Sequence, residues 1–393
     1  MGCMKLRKDK WKVIELSKVV DIVNGATPKA IETATGSGAY PFLRVNDMNL
    51  DGNEVYIKSC SCSLTNSDIE KFKVKLYPKG TVIFPKRGAS IHTNKKRILL
   101  QDSAIDLNTM GFVPRNEIDH YFLFTWFQTI NLSSISDGSY IPQINSRNIN
   151  GIEISLPPLE EQKQIAALFQ SMETAIEQVE GQEKNLLKLK NQLLRELFGE
   201  TLQFCSYLNK NDFEKVKFEK IALNISERIE PQKTTLDIYV GLEHLDPDNL
   251  IISRTGKPGD VIGTKLKIYK NDIIFGKRRA YQRKVAVSYF DGIASAHSMI
   301  LRANEKYIEK EFLPFFMQSD VFMNRAVQIS EGSLSPTIKW KTLATQEFLL
   351  PKKEKQKGLT KVFKQFDITR GKLKQQKITL KNLKQKLLSE ILG

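Results

Sequence analysis

An α+β fold, with two similar globules joined by two long antiparallel coiled-coil helices, is the architecture this sequence predicts. Two observations lead there. The chain repeats itself at an interval of about 194 residues, and each repeat ends in a heptad-patterned stretch about forty residues long. The first copy carries Ser136-Asp137-Gly138-Ser139, Pro142, Ile144, Leu156-Pro157, Glu160, Gln162 and Phe169. The second carries Ser330-Glu331-Gly332-Ser333, Pro336, Ile338, Leu350-Pro351, Glu354, Gln356 and Phe363, each 194 further along a chain of 393 residues. Two copies therefore fill the sequence and imply an internal pseudo-twofold. The expected division is a globule over 1–156, a long helix over 157–199, a second globule over 200–351 and a second long helix over 352–393.

Within the globules, Thr81-Val82-Ile83-Phe84, Asp272-Ile273-Ile274-Phe275 and Lys284-Val285-Ala286-Val287-Ser288 are rich enough in branched and aromatic residues to predict strands. Tyr121 to Phe127 and Phe312 to Met317 are expected to be helical. Their aromatics are read as core rather than as a platform for stacking bases.

The long helices have clearer signals. Each opens on proline or glutamate and runs to a glycine, Gly199 or Gly393, with no proline between. Ile165, Met172, Val179, Leu186 and Leu193 recur every seven residues in the first. Leu359, Phe366, Leu373, Leu380 and Leu387 do so in the second. These ten residues are the expected helix–helix seam. The position three residues later (Leu168, Ala175, Gln182, Leu189, Glu196; Val362, Thr369, Gln376, Leu383, Glu390) is the expected second seam position, with Gln182 and Gln376 setting register. Residues 157–199 carry a net charge of −2 and residues 352–393 a net +10, so the two helices attract. Connectivity makes the pair antiparallel, a rod about 60 Å long at ~1.5 Å per residue.

Net charge is +16, from 60 basic and 44 acidic residues, which suits an acidic partner such as nucleic acid. Most of that surplus lies on the second helix, so the total says little about the globules. Cys3, Cys60, Cys62 and Cys205 lack zinc-ligand spacing and read as thiols of a reducing cytoplasm. The start, Met1-Gly2-Cys3-Met4-Lys5, has no signal-peptide stretch, and Leu6 breaks the myristoylation pattern. Tyr121 to Ser136 is too short and polar to span a bilayer. A soluble, cytoplasmic protein with no membrane partner is expected.

Catalytic signatures are missing. The Pro-Pro pair, Pro157-Pro158, sits between leucines rather than in a base-holding methyltransferase loop. There is no phosphate-binding Gly-x-x-x-x-Gly-Lys-Ser/Thr. Pro247-Asp248 is not followed by the acidic-x-Lys of a nuclease metal site. His92, His120, His244 and His297 are scattered without metal or triad spacing. No catalytic residue, metal site or cofactor is expected in this chain.

A basic cluster does recur in both copies after the same strand. The first holds Lys86, Arg87, Ser90, Lys95, Lys96 and Arg97. The second holds Lys277, Arg278, Arg279, Tyr281, Gln282, Arg283 and Lys284. Lys and Arg can hold phosphates, and Arg and Gln can read base edges, so these residues are candidate DNA contacts. The downstream turns, Gly138-Ser139-Tyr140 with Gln143 and Gly332-Ser333-Leu334 with Thr337, are weaker candidates, and Lys339 completes the set. A non-catalytic coiled-coil scaffold that joins proteins without binding DNA is the competing reading.

Globule, Leu-Pro-Pro-Leu-Glu-Glu-Gln (156–162) and long helix, repeated with Leu-Pro-Lys-Lys-Glu-Lys-Gln (350–356), resembles the specificity subunits of type I restriction-modification systems. Lys79-Gly80-Thr81-Val82-Ile83, Asn271-Asp272-Ile273-Ile274 and the Asp/Glu-Gly-Ser turns extend the resemblance over both halves. Lys352, where the first copy has Pro158, departs from it. The resemblance implies a target recognition domain in each globule, each reading one half of a split, asymmetric site in double-stranded DNA. It implies that the helices space the domains and dock two modification (methyltransferase) subunits. Restriction (motor and nuclease) subunits would join that assembly. S-adenosylmethionine, ATP and Mg²⁺ are implied only for those partners.

Overall fold

A computed structural model describes residues 8–29, 31–34, 36–199 and 208–393; the expectations made for Met1 to Leu6 and for Cys3 and Cys205 lie outside them. The chain forms two compact units, one running to Val179 and including Gln376–Gly393, the other Glu180–Gln375. The two long helices, Leu159–Phe198 and Lys353–Leu392, each contribute to both units.

In the first unit a five-stranded sheet has the order Val20–Asn24, Thr109–Pro114, Val82–Pro85, Arg97–Leu99, Tyr56–Ile57. In the second, a four-stranded sheet has the order Ala222–Ile225, Ser298–Ala303, Ile273–Gly276, Val285–Val287. The register repeats. Val82 faces Ile98 and Ile83 faces Gly111, just as Ile273 faces Val287 and Ile274 faces Ile300. Both central strands are buried on both faces, which is why they read as continuous apolar runs rather than alternating ones.

The aromatic segments form the helices His120–Phe127 and Phe312–Gln318, and every residue from Tyr121 to Phe127 and from Phe312 to Gln318 is buried. Phe84, Phe112 and Phe127 pack as a triad with ring centroids 4.9–5.0 Å apart. Tilted and edge-on contacts of this kind add to simple area burial.

Each unit contains a stretch of both long helices, running antiparallel. In the first unit, Ile165, Phe169 and Met172 share the core with Leu388 and Ile391, and Glu173 pairs with Lys384. In the second unit, Leu194 and Leu197 share the core with Leu359 and Phe363. There Lys190 donates to Asp367 Oδ1 at 2.7 Å and to Gln318 Oε1 at 2.9 Å. Residues 173 and 367, and 190 and 384, are separated by the repeat interval, so one ion pair occurs twice.

The helices correct one detail of the expected seam. Ile165, Met172, Val179 and Leu359 are buried, and Leu186, Leu193, Phe366, Leu373, Leu380 and Leu387 are half-buried. The second seam position, however, lies four residues on rather than three. Phe169, Ile176, Lys190, Leu197, Phe363 and Ile391 occupy it, whereas Gln182, Leu189, Val362, Gln376 and Leu383 face solvent. Gln182 and Gln376 therefore do not set register. Charged residues in the four-later row do so instead, with Arg370 reaching Glu183 and Lys190 reaching Asp367. A lysine scores as polar in a heptad count, yet Lys190 is only 3% exposed and lies over the Phe315 ring.

The repeated glutamines Gln162 and Gln356 have a definite role. Gln162 Oε1 accepts from the Asp119 N–H at 2.8 Å while Nε2 donates to the carbonyls of Glu117 and Pro157. Gln356 Oε1 accepts from the Glu309 N–H at 2.8 Å and Nε2 donates to the Pro351 carbonyl. Both side chains are 1% exposed. Each ties the first turn of a long helix to the backbone just ahead of an aromatic helix. Replacing either by alanine leaves buried backbone groups unpaired and is expected to cost about 1–3 kcal/mol. A thermal midpoint unchanged in both Gln162→Ala and Gln356→Ala would contradict that role.

Candidate nucleic-acid interface

The basic loop and the Gly-Ser turn, far apart in sequence, are joined in each repeat by the same backbone hydrogen bonds. In the first, Gly88 N–H donates to the Pro142 carbonyl at 2.8 Å and Ile144 N–H to the Lys86 carbonyl at 2.9 Å. In the second, Arg279 N–H donates to the Pro336 carbonyl at 2.7 Å and Ile338 N–H to the Lys277 carbonyl at 3.0 Å. Arg87 bridges Gln143, and Arg278 bridges Thr337. The two groups of candidates thus form one surface per repeat.

Backbone geometry repeats as well, but with different residues. Gly88 has φ of +72° and its counterpart Arg279 has φ of +57°. Left-handed backbone at an arginine costs on the order of 1–2 kcal/mol. The strain sets Arg279 beside Arg278, and the two guanidiniums share the Ser335 hydroxyl, at 3.0 Å from Arg278 and 3.3 Å from Arg279. Arg278 also donates to His297 Nε2 at 3.1 Å, a bond that needs a neutral imidazole. Burial first, then Arg278, Lys277 and Lys265, holds His297 below the ordinary histidine value. Lys277 is likewise lowered by burial and then by Arg228.

The first repeat is less cationic. Lys86 donates to Asn24 Oδ1 at 2.9 Å and is lowered by burial, with Asp106 acting in the opposite direction. Arg87 is exposed, Gln143 half-exposed, and Ser90 caps the loop by donating to the Arg87 carbonyl. Asp137 accepts from Gln143 N–H, Ser139 N–H and the Ser139 hydroxyl. Those bonds, Gln143's first, hold its carboxyl below the usual range.

Several predicted contacts are engaged elsewhere. Lys96 is fully buried, donating to Asn94 Oδ1 and the Ile130 carbonyl at 2.7 and 2.6 Å beneath the Phe127 ring, so it cannot contact DNA. Arg97 holds the Met48 and Lys96 carbonyls, and Lys95 holds Asn49. Arg283 pairs with Asp248 and Asp320 and donates to the Gln318 carbonyl, and Lys284 donates to Leu242. Gln282 is half-exposed, Tyr281 exposed, and Lys339 pairs with Glu331 at 2.6 Å. What remains facing outward is Arg87, Tyr140 and Gln143 in one repeat, and Arg278, Arg279, Tyr281 and Gln282 in the other, with Lys339 exposed but held by Glu331. Ser335 and His297 were not singled out from sequence. Only the tertiary fold brings them to the arginines.

Among the described residues no three His, Cys, Asp or Glu side chains gather to hold a metal ion, and no helix is long and apolar enough to cross a membrane. Fold and surface together define a duplicated protein with one loop-and-turn surface per repeat. Residues 8–189 match the model of the type I restriction modification DNA specificity domain. The chain is 22% identical to the MjaVIII specificity subunit of Methanocaldococcus jannaschii, over 97% of its length and 92% of that protein's. It is 24% identical to the EcoDI specificity subunit of Escherichia coli, over 88% and 78%. The S subunit of M. genitalium superposes with a TM-score of 0.59 at 16% identity, covering 98% of this chain and 96% of that one. Over residues 8–189 the chain thus matches a type I restriction modification DNA specificity domain, and over nearly its whole length it is similar to type I specificity subunits.

Two outcomes are expected. Burial pushes the Lys96 ammonium down to about 7. Between pH 7 and the ordinary lysine value the unfolded chain holds the extra proton, so stability rises with pH there, by about 1.4 kcal/mol per unit, and the penalty is complete below pH 7. Val285 fills the equivalent position, so Lys96→Met should fold and lose this slope, and the difference between its stability and that of the wild type should shrink by about 1.4 kcal/mol per unit as pH rises. Equal slopes by denaturant titration at pH 7.5 and 9.5 would refute it. Separately, Arg279→Gly relieves strain but adds chain entropy, for a net gain of about 0.5–1 kcal/mol. It should also weaken DNA binding and lower the salt slope by about one. A lower thermal midpoint would show that the left-handed arginine is not strained.

Proposed function

We propose that this chain confers DNA sequence specificity on a type I restriction-modification enzyme, with 1–156 and 200–351 each reading one half of a bipartite, asymmetric site. The observation that carries this is the basic loop bonded to a Gly-Ser turn at the same place in both repeats, with different side chains outward in each. Equal frameworks with unequal readers suit two different half-sites. The chain itself performs no chemistry. Residues 157–199 and 352–393 set the spacing and dock two modification subunits, which supply S-adenosylmethionine-dependent adenine methylation. Restriction subunits add ATP- and Mg²⁺-dependent translocation and cleavage. A protein-joining scaffold would have no use for unpaired cations gathered round a serine hydroxyl.

Mapping methylated adenines in the host genome with and without the gene tests this directly. A bipartite motif should vanish on deletion. Inserting one heptad into both long helices adds about 10 Å, so the spacer of that motif should lengthen by about three base pairs. An unchanged spacer in a stable, active insertion variant would rule out the helices as the ruler.

A further inference from the structure

The two most exposed large apolar side chains among the described residues are Tyr140 and Leu334, at 102% and 90%. They are separated by the repeat interval of 194 residues and cap the same turn in each unit. Nothing in their own unit covers them, so the burial that such side chains normally gain is left unrealised. Sequence around them has diverged, from Gly138-Ser139-Tyr140-Ile141 to Gly332-Ser333-Leu334-Ser335, yet a large apolar tip stands in both.

Neither tip is on a slack loop. Gly138 and Gly332 turn the chain at φ of +69° and +105°, values that suit glycine. Ser139 Oγ donates to the Ile141 carbonyl at 2.6 Å and to Asp137 at 2.8 Å, and Glu331 and Thr337 exchange backbone bonds at 3.0 and 2.9 Å. The loop bonded alongside is cationic in each case, Lys86 and Arg87 in one, Lys277 to Arg279 in the other. A stiff apolar projection rising from a collar of phosphate-binding cations matches a side chain that enters a base stack while its flanks hold the backbone.

We propose that Tyr140 and Leu334 are wedges that insert between adjacent base pairs, one in each half-site. This deepens the DNA-reading function proposed above and rests on it. Insertion unstacks one step, and unstacking is easiest at TA and CA/TG steps. Each wedge therefore selects a flexible step without any hydrogen bond to it. Tyr140 can stack a ring on the opened base, whereas Leu334 only fills the gap, so the two half-sites differ in tolerance.

The test uses the full chain assembled with its modification subunits, on a duplex carrying the motif found by methylation mapping. 2-Aminopurine is placed singly at each position of both half-sites other than the methylated adenine. The wild-type complex should brighten the probe at one step per half-site. Tyr140→Ser should abolish the signal in one half-site and Leu334→Ser in the other, each with binding weakened about tenfold. Leu334→Met should retain it. Binding by the wild type without brightening outside the methylated adenine overturns the wedge and leaves the DNA-reading function standing. Signals that persist in both variants overturn it too. So does loss of subunit assembly with unchanged DNA affinity, which would make the tips protein contacts. A wild-type complex that fails to bind the duplex at all overturns both.

Discussion

Each unit's core is closed by a helix end belonging to the other repeat, and the remaining architecture depends on that exchange. Leu388 and Ile391 sit with Ile165 and Phe169, and Leu194 and Leu197 sit with Leu359 and Phe363. The twin ion pairs Glu173–Lys384 and Lys190–Asp367 fix the register beside them. A buried lysine is costly to desolvate. Lys190 is nonetheless retained with three partners, Asp367, Gln318 and the Phe315 ring, and removing Asp367 would leave its charge buried and unmatched. Such pairs discriminate against a slipped register more than they add stability.

The reading surfaces build on the same economy of repetition. The strand that ends at Phe84 or Phe275 is pinned inside a sheet, so the loop after it leaves from a fixed point. Backbone bonds to the Gly-Ser turn then fix the loop without using any side chain. Side chains are consequently left to vary, and they have: Gly88 against Arg279, Asn108 against His297, Gln143 against Thr337. A framework held by backbone and a surface made of side chains would let one fold serve two different half-sites, as the proposed function requires.

Much of this could be read from the chain. The repeat interval, both long helices, the aromatic core helices and the outward Arg87, Arg278 and Arg279 follow from periodicity and residue type. The second seam position did not, because Lys190, Glu183, Arg370 and Lys384 count as polar in any heptad tally although they pack between helices. Lys96 misled for a related reason. Its neighbours Lys95 and Arg97 make it look like part of a solvated run, but strand alternation turns it inward beneath Phe127. The pairing of loop and turn lay across nearly sixty residues, beyond the reach of local pattern.

The helix exchange also orders events in time. Glu173 and its partner Lys384 are 211 residues apart, and the apolar residues that seal the same core, Leu388 and Ile391, come later still. At ~5–20 residues per second, a nascent first unit waits on the order of 10–40 s with an open apolar flank. During synthesis its half-made core is a surface for chaperones, and the second unit, whose helix segments are all in hand earlier, is the first that can close.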